Sequence, residues 1–301
     1  MAEQPHEHVD ALTGTATTGH EWDGVRELNT PLPRWWLWVF YATIIWSVGY
    51  WIVYPSWPLI SGYTTGVFNW HSRAAITNEL AGLRAIRGPM VDKLNAASLQ
   101  EIRDDDRLRE FALAQAKPIF LENCAGCHGS GAAGTKGYPN LNDDEWLWGG
   151  KLDDIAATIR HGIRSADAKT RAGSMPAFGR DGILKRADIE TVADYVRSIA
   201  GLPADPKADP KADLKAGLAA GQKIFAQTCA VCHGPDGKGK RELGASNLTD
   251  AIWLYGSDKA AIVDGLWNGR GGMMPAWEGR LDDSTIKALA IYVHTRGGGE
   301  K

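Results

Sequence analysis

The chain has 301 residues and a formal net charge of −3. That length is too great for one small core and allows several domains, and so balanced a charge leaves no footprint for a nucleic-acid partner. The 4 cysteines all fall in two short motifs, so none is left over for a disulfide framework.

Residues 1–33 are polar and rich in Thr, Gly, Pro and acidic side chains, with His6, His8 and His20 scattered among them. They are expected to form a mostly flexible tail on the cytoplasmic side rather than a metal site. From Trp35 to Ile60 the character changes. No charge interrupts this run, and it holds Trp35, Trp36, Trp38, Trp46, Trp51 and Trp57. As a helix it would be about 39 Å long, against a hydrocarbon core of roughly 30 Å. Indoles at both ends suit the two interfaces, and Pro55 and Pro58 predict that the helix stops near Tyr54 to Trp57. The run starts late and lacks a small-residue cleavage site, so residues 34–60 read as an uncleaved transmembrane anchor.

Residues 61–105 form a connecting segment without a motif. Ile76, Leu80, Leu83 and Ile86 recur at helical spacing, and Gly88-Pro89 is expected to end that helix. A connecting helix that packs against a partner subunit would account for this row. His71 is expected to be structural.

Next comes Cys124-Ala125-Gly126-Cys127-His128, a pattern repeated at Cys229-Ala230-Val231-Cys232-His233. C-x-x-C-H attaches c-type haem: two thiols each form a thioether to the porphyrin, and the histidine supplies an axial nitrogen to iron. The knuckles of a zinc ribbon stand some fifteen to twenty residues apart, far closer than Cys127 and Cys229. A redox dithiol has no need for the histidine. Two covalent haems follow.

A second ligand lies downstream of each pentad. Gly173-Ser174-Met175-Pro176-Ala177-Phe178 matches Gly272-Met273-Met274-Pro275-Ala276-Trp277. Methionine favours ferrous iron and raises the reduction potential, and proline stiffens the residue before it. Met175 and Met274 are therefore the candidate distal ligands. Met273 competes in the second loop, one place off the Met-Pro-Ala alignment. Asn140-Leu141 and Trp146-Leu147-Trp148 return as Asn247-Leu248 and Trp253-Leu254-Tyr255, and His161-Gly162 returns as Asn268-Gly269. Each copy closes on a helical stretch with a tyrosine, Tyr195 or Tyr292.

The chain thus holds one haem module twice. The first copy spans 106–202, with a leading helix through Phe111, Leu113 and Phe120. Pro118 should kink that helix or restart it. Ile155, Ile159 and Ile163 mark a middle helix, and Ile189, Val192, Val196 and Ile199 a closing one. Residues 203–213 repeat Asp-Pro-Lys-Ala and form a stiff linker. The second copy spans 214–301, with Leu218, Ile224 and Phe225 in its leading helix. The expected fold is all-α: a single N-terminal transmembrane helix followed by two tandem class I cytochrome c domains, with Met175 downstream of His128 and Met274 downstream of His233.

This layout resembles the dihaem subunit, CcoP or FixP, of cbb3-type cytochrome c oxidases. The resemblance implies a subunit that takes electrons from a cytochrome c, or from a cytochrome bc complex, and passes them to the monohaem and catalytic subunits. Oxygen is reduced in the catalytic subunit with proton pumping; this chain has no catalytic residues for that step. Because c-type haems are attached outside the bacterial inner membrane, the modules are expected in the periplasm and the N-terminus in the cytoplasm. A membrane-anchored dihaem cytochrome serving another periplasmic oxidoreductase is the alternative, and a dihaem peroxidase a more distant one. The Pro139 carbonyl is a candidate acceptor for the second ring nitrogen of His128, with Ser246 at the matching place in the other copy. His161, Arg164 and Arg270 are candidate propionate partners, and Trp148, Phe178, Trp253 and Trp277 candidate pocket walls.

Overall fold

The computed structural model describes residues 8–203 and 213–300. They divide into two units, residues 1–86 and 87–301.

The first unit begins with a hairpin where a flexible tail is expected. Strand β1 (Thr17–Trp22) pairs antiparallel with β2 (Val25–Leu28), Trp22 opposite Val25. Asp23 and Gly24 turn between them with φ of 48° and 85°. Two consecutive positive φ values match the right-handed twist of the strands, and Asp-Gly tolerates them. Helix α1 (Arg34–Val53) has 20 residues, about 30 Å of rise. It ends as its prolines require: Tyr54, preceding Pro55, is extended with φ −114° and ψ 161°. None of its side chains is buried in the protein. A short hairpin, β3 (Pro58–Leu59) and β4 (Gly62–Tyr63), follows. His71 Nδ1 lies 3.1 Å from the Tyr63 hydroxyl, a structural contact.

Helix α2 (Ser72–Ala96) runs straight through Gly88-Pro89 instead of stopping there. Proline has no N–H, so α2 loses the hydrogen bond that residue 89 would donate, as helix Asp106–Asn123 does at Pro118. Ile76, Leu80, Leu83 and Ile86 are all exposed on this helix.

The second unit is helical. Helix α3 (Leu99–Asp104) opens with a capping box in which Ser98 Oγ accepts from the Glu101 amide at 3.2 Å and the Glu101 carboxylate accepts from the Ser98 amide at 2.7 Å. Helix α4 (Asp106–Asn123) continues through Pro118 without a fresh start and leads into α5 (Ala125–His128), followed by α6 (Leu152–His161) and α7 (Arg186–Ile199). The expected linker lies, but for its end residues, outside the described residues. Beyond it come α8 (Leu214–Ile224), a π-helical turn at Phe225–Cys229, α9 (Ala230–His233), α10 (Lys259–Asn268) and α11 (Asp283–His294).

These helices form two cores, and each core draws on both copies of the repeat. In the first, Leu94, Ile102, Phe120 and Ile155 pack with Ile286, Leu289 and Ile291 of α11. In the second, Ile189, Val192 and Val196 of α7 pack with Phe225, Val263 and Leu266. The closing helices have changed places. The ring pairs repeat the exchange: Phe120 meets Tyr292 at 5.1 Å and Phe225 meets Tyr195 at 5.5 Å, both tilted. The C-terminal tail follows α11 onto the first copy, where the Gly298 carbonyl accepts from Trp146 Nε1 at 2.6 Å. Leu94, Leu99 and Ile102, from the connecting segment, also belong to the first core.

Candidate haem sites

Each pentad forms a single helical turn. His128 Nδ1 lies 3.0 Å from the Pro139 carbonyl, and His233 Nδ1 lies 2.9 Å from the Ser246 carbonyl. A carbonyl oxygen only accepts, so Nδ1 carries the proton in both rings and Nε2 keeps its lone pair. The acceptor is backbone, which is why Pro139 and Ser246 serve equally. Burial holds both imidazoles below the usual histidine range, so each is neutral and fit to bind a metal. Burial also pushes the Cys124 and Cys229 thiols up to about 11, whereas Cys127 is exposed.

A largely apolar cleft of about 120 Å³, open to solvent, lies over the first pentad. Cys124 and His128 form one wall. Trp146, Trp148, Ile155 and Ile159 form the sides, and Met274 and Trp277 come from the second copy. Met274 packs against the first core together with Cys124, while Met175 packs against the second, which contains Cys229. Met273 is 71% exposed, so Met274 is the inward residue of that pair.

Backbone bridges hold the exchanged loops. Ile163 and Met274 exchange amide–carbonyl hydrogen bonds of 2.9 Å each, and Met175 and Arg270 exchange bonds of 2.9 and 3.0 Å. The repeated glycines make these bridges possible. Gly162 (φ +69°) lies against the Met274 carbonyl and Gly269 (φ +74°) against the Met175 carbonyl, where a Cβ would collide. The sequence order pairs His128 with Met175 and His233 with Met274; the structure brings His128 together with Met274 and places Met175 in the core that contains Cys229 of the second pentad.

The remaining candidates separate into walls and clamps. Trp148, Phe178 and Trp277 are buried walls, and Trp253 packs against the second core. Arg270 donates to Asp264 at 3.0 Å and lies over the Tyr255 ring at 4.2 Å. Arg164 does something the sequence did not suggest. Its Nε donates to the Gly272 carbonyl at 2.6 Å and a terminal nitrogen donates to the Gly173 carbonyl, so one guanidinium grips both methionine loops, two residues ahead of each methionine. Its backbone has φ of 50°, and burial draws its pKa down, though arginine stays charged. Gly271 occupies the matching position of the second copy, beside the Arg164 side chain.

An apolar cleft lined by the His128 imidazole, the Met274 thioether and the Cys124 thiol fits a covalent haem. Comparison with known proteins agrees. Residues 14–61 match the N-terminal domain of cytochrome oxidase-cbb3, FixP; residues 113–200 match cytochrome c; residues 216–293 match cytochrome c oxidase, cbb3-type, subunit III. The cbb3-type cytochrome c oxidase subunit FixP of Bradyrhizobium diazoefficiens is 58% identical over 98% of this chain and 99% of its own length. FixP of Azorhizobium caulinodans is 55% identical over 99% of this chain and 98% of its own, and CcoP of Azospirillum brasilense 46% over 97% and 98%. The chain belongs to the FixP/CcoP family. It is therefore an electron-transfer subunit of a cbb3-type cytochrome c oxidase, membrane-associated, with two cytochrome c domains and covalently bound c-type haems. Its partners include the other oxidase subunits.

Proposed function

We propose that this FixP/CcoP subunit carries electrons from a cytochrome c, itself reduced by a cytochrome bc complex, toward the monohaem subunit and the oxygen-reducing centre. Cys124, Cys127, Cys229 and Cys232 hold the two haems, and the ligand pairs cross between copies: His128 with Met274, His233 with Met175. The observation that carries this reading is the single cleft lined by His128 from one copy and Met274 from the other. The haems supply one-electron chemistry when bound. The chain's residues do the rest: the Pro139 and Ser246 carbonyls fix the imidazole tautomers, and the buried aromatic walls exclude water.

Helix α1 spans the inner membrane with the N-terminus in the cytoplasm and both haem domains in the periplasm, where c-type haems are attached. Its exposed apolar circumference and its length of 20 residues support this placement. The exposed row Ile76, Leu80, Leu83 and Ile86 supports packing of α2 against another oxidase subunit.

The test is turnover of the assembled oxidase. With Cys229→Ser/Cys232→Ser in this subunit, oxygen uptake driven by reduced cytochrome c should fall more than tenfold while haem b and copper contents hold. Unchanged uptake would remove this subunit from the electron path. A second measurement addresses Arg164. Arg164→Met leaves two carbonyls without their donor, a cost of about 1–3 kcal/mol spread over both methionine loops. Potentiometry should show both haem potentials falling together, with Arg164→Lys restoring part of the loss. A change at one haem alone would contradict the shared clamp.

A further inference from the structure

Outside the residues that line the cleft over the first pentad, three ionisable side chains cluster. His161, at the end of α6, points Nδ1 at two carboxylates: Asp167 Oδ1 at 3.3 Å and Glu278 Oε2 at 3.4 Å. The nitrogen is buried and forms no hydrogen bond to either. All three ligand atoms lie within 4.8 Å of one another. Ligands bound at about 2.0–2.1 Å around a tetrahedral cation stand roughly 3.4 Å from each other. Both nitrogen–oxygen separations match that edge.

The repeat supplies an internal control. The position equivalent to His161 is Asn268 in the second copy, and the position equivalent to Glu278 is Gly179 in the first, so the repeat offers no second such pair. Asp167 comes from a loop, residues 165–172, that the second copy lacks between Gly271 and Gly272. The loop is well tied: Ser165 Oγ donates to the His161 carbonyl at 2.7 Å, and the Ser165 amide donates to Thr170 Oγ1 at 3.0 Å. It is folded so that Asp167 meets His161. One cation stands nearby: Arg160 reaches the other Glu278 oxygen at 3.4 Å, leaving Oε2 for His161. The Lys169 backbone amide donates to Asp167 Oδ1 at 2.7 Å.

We propose that His161, Asp167 and Glu278 bind a divalent transition-metal cation of the zinc type, with water completing the shell. One nitrogen and two carboxylate oxygens suit such an ion better than calcium, which takes six to eight oxygens. The site joins the first copy to Glu278, four residues beyond Met274, and so pins the exchanged methionine loop to α6.

The test uses the full-length haem-loaded subunit in detergent, stripped with a chelator and titrated with zinc. Elemental analysis should find one more zinc per chain in the parent than in His161→Gln, with haem content and absorption spectrum the same in both. Asp167→Asn should weaken that equivalent by more than the roughly 10–100-fold that loss of a supporting residue costs. Zinc should also raise the thermal midpoint of the parent and not of His161→Gln. Equal zinc binding by parent and His161→Gln overturns the proposal. So does a parent that binds none.

Discussion

In a subunit carrying Cys229→Ser/Cys232→Ser, whose one remaining haem is tied to Cys124 and Cys127, Met274→His lowers the reduction potential and Met175→His does not. Axial ligands tune haem over roughly 0.8 V, and exchanging thioether for imidazole should account for on the order of 0.2 V of it. The expectation rests on placement. Met274 lines the same cleft as His128, whereas Met175 packs among Phe178, Val192 and Phe225 in the other core. The reciprocal set, Cys124→Ser/Cys127→Ser with each histidine substitution, should respond at Met175 only. Potentiometric titration of the four proteins reads the result. If Met175→His were the change that moved the haem at Cys124, each copy would be a self-contained cytochrome and the crossed assignment would fail.

The candidate ligands were legible in the sequence because their signals are local. Cys124 to His128 is one helical turn, and a proline follows both Met175 and Met274. The end of α1 at Val53 follows from Pro55 and Pro58. The exchange was not legible, and the reason is degeneracy. Ile189, Val192 and Val196 make one apolar face, Ile286, Leu289 and Val293 an equivalent one, and either fits Phe120 or Phe225. Hydrophobic pattern chooses a face and not a partner. What distinguishes the partners is tertiary: the Ile163–Met274 bridge and the Arg164 grip on both loops. The β1–β2 hairpin did carry a local signal, Asp23-Gly24, but the polar composition around it read as tail. Gly88-Pro89 read as a stop, but α2 runs through it, as α4 runs through Pro118.

Cutting the chain between the copies should not separate them. With a protease site placed within residues 204–212 and cleaved in the detergent-solubilised, haem-loaded subunit, the C-terminal piece is expected to stay with the anchored piece through gel filtration. Under denaturing conditions it should run apart, and both bands should stain for haem, since each retains one pentad. The physical reason is the shared cores. Ile286 and Leu289 are 1% exposed and Ile291 is 0% exposed, all against residues of the first copy, and burying each such side chain is worth about 1.5–3 kcal/mol. Helix α7 adds Ile189 and Val192 to the second core in the same way. Those five side chains, about 7.5–15 kcal/mol together, match the roughly 4–15 kcal/mol that association costs in lost freedom. Leu289→Asp offers the contrast: an unpaired carboxylate in that core should release the C-terminal piece on cleavage. Two independently folded domains joined by a spacer would part at once in the parent protein, with both haems keeping their methionine ligands.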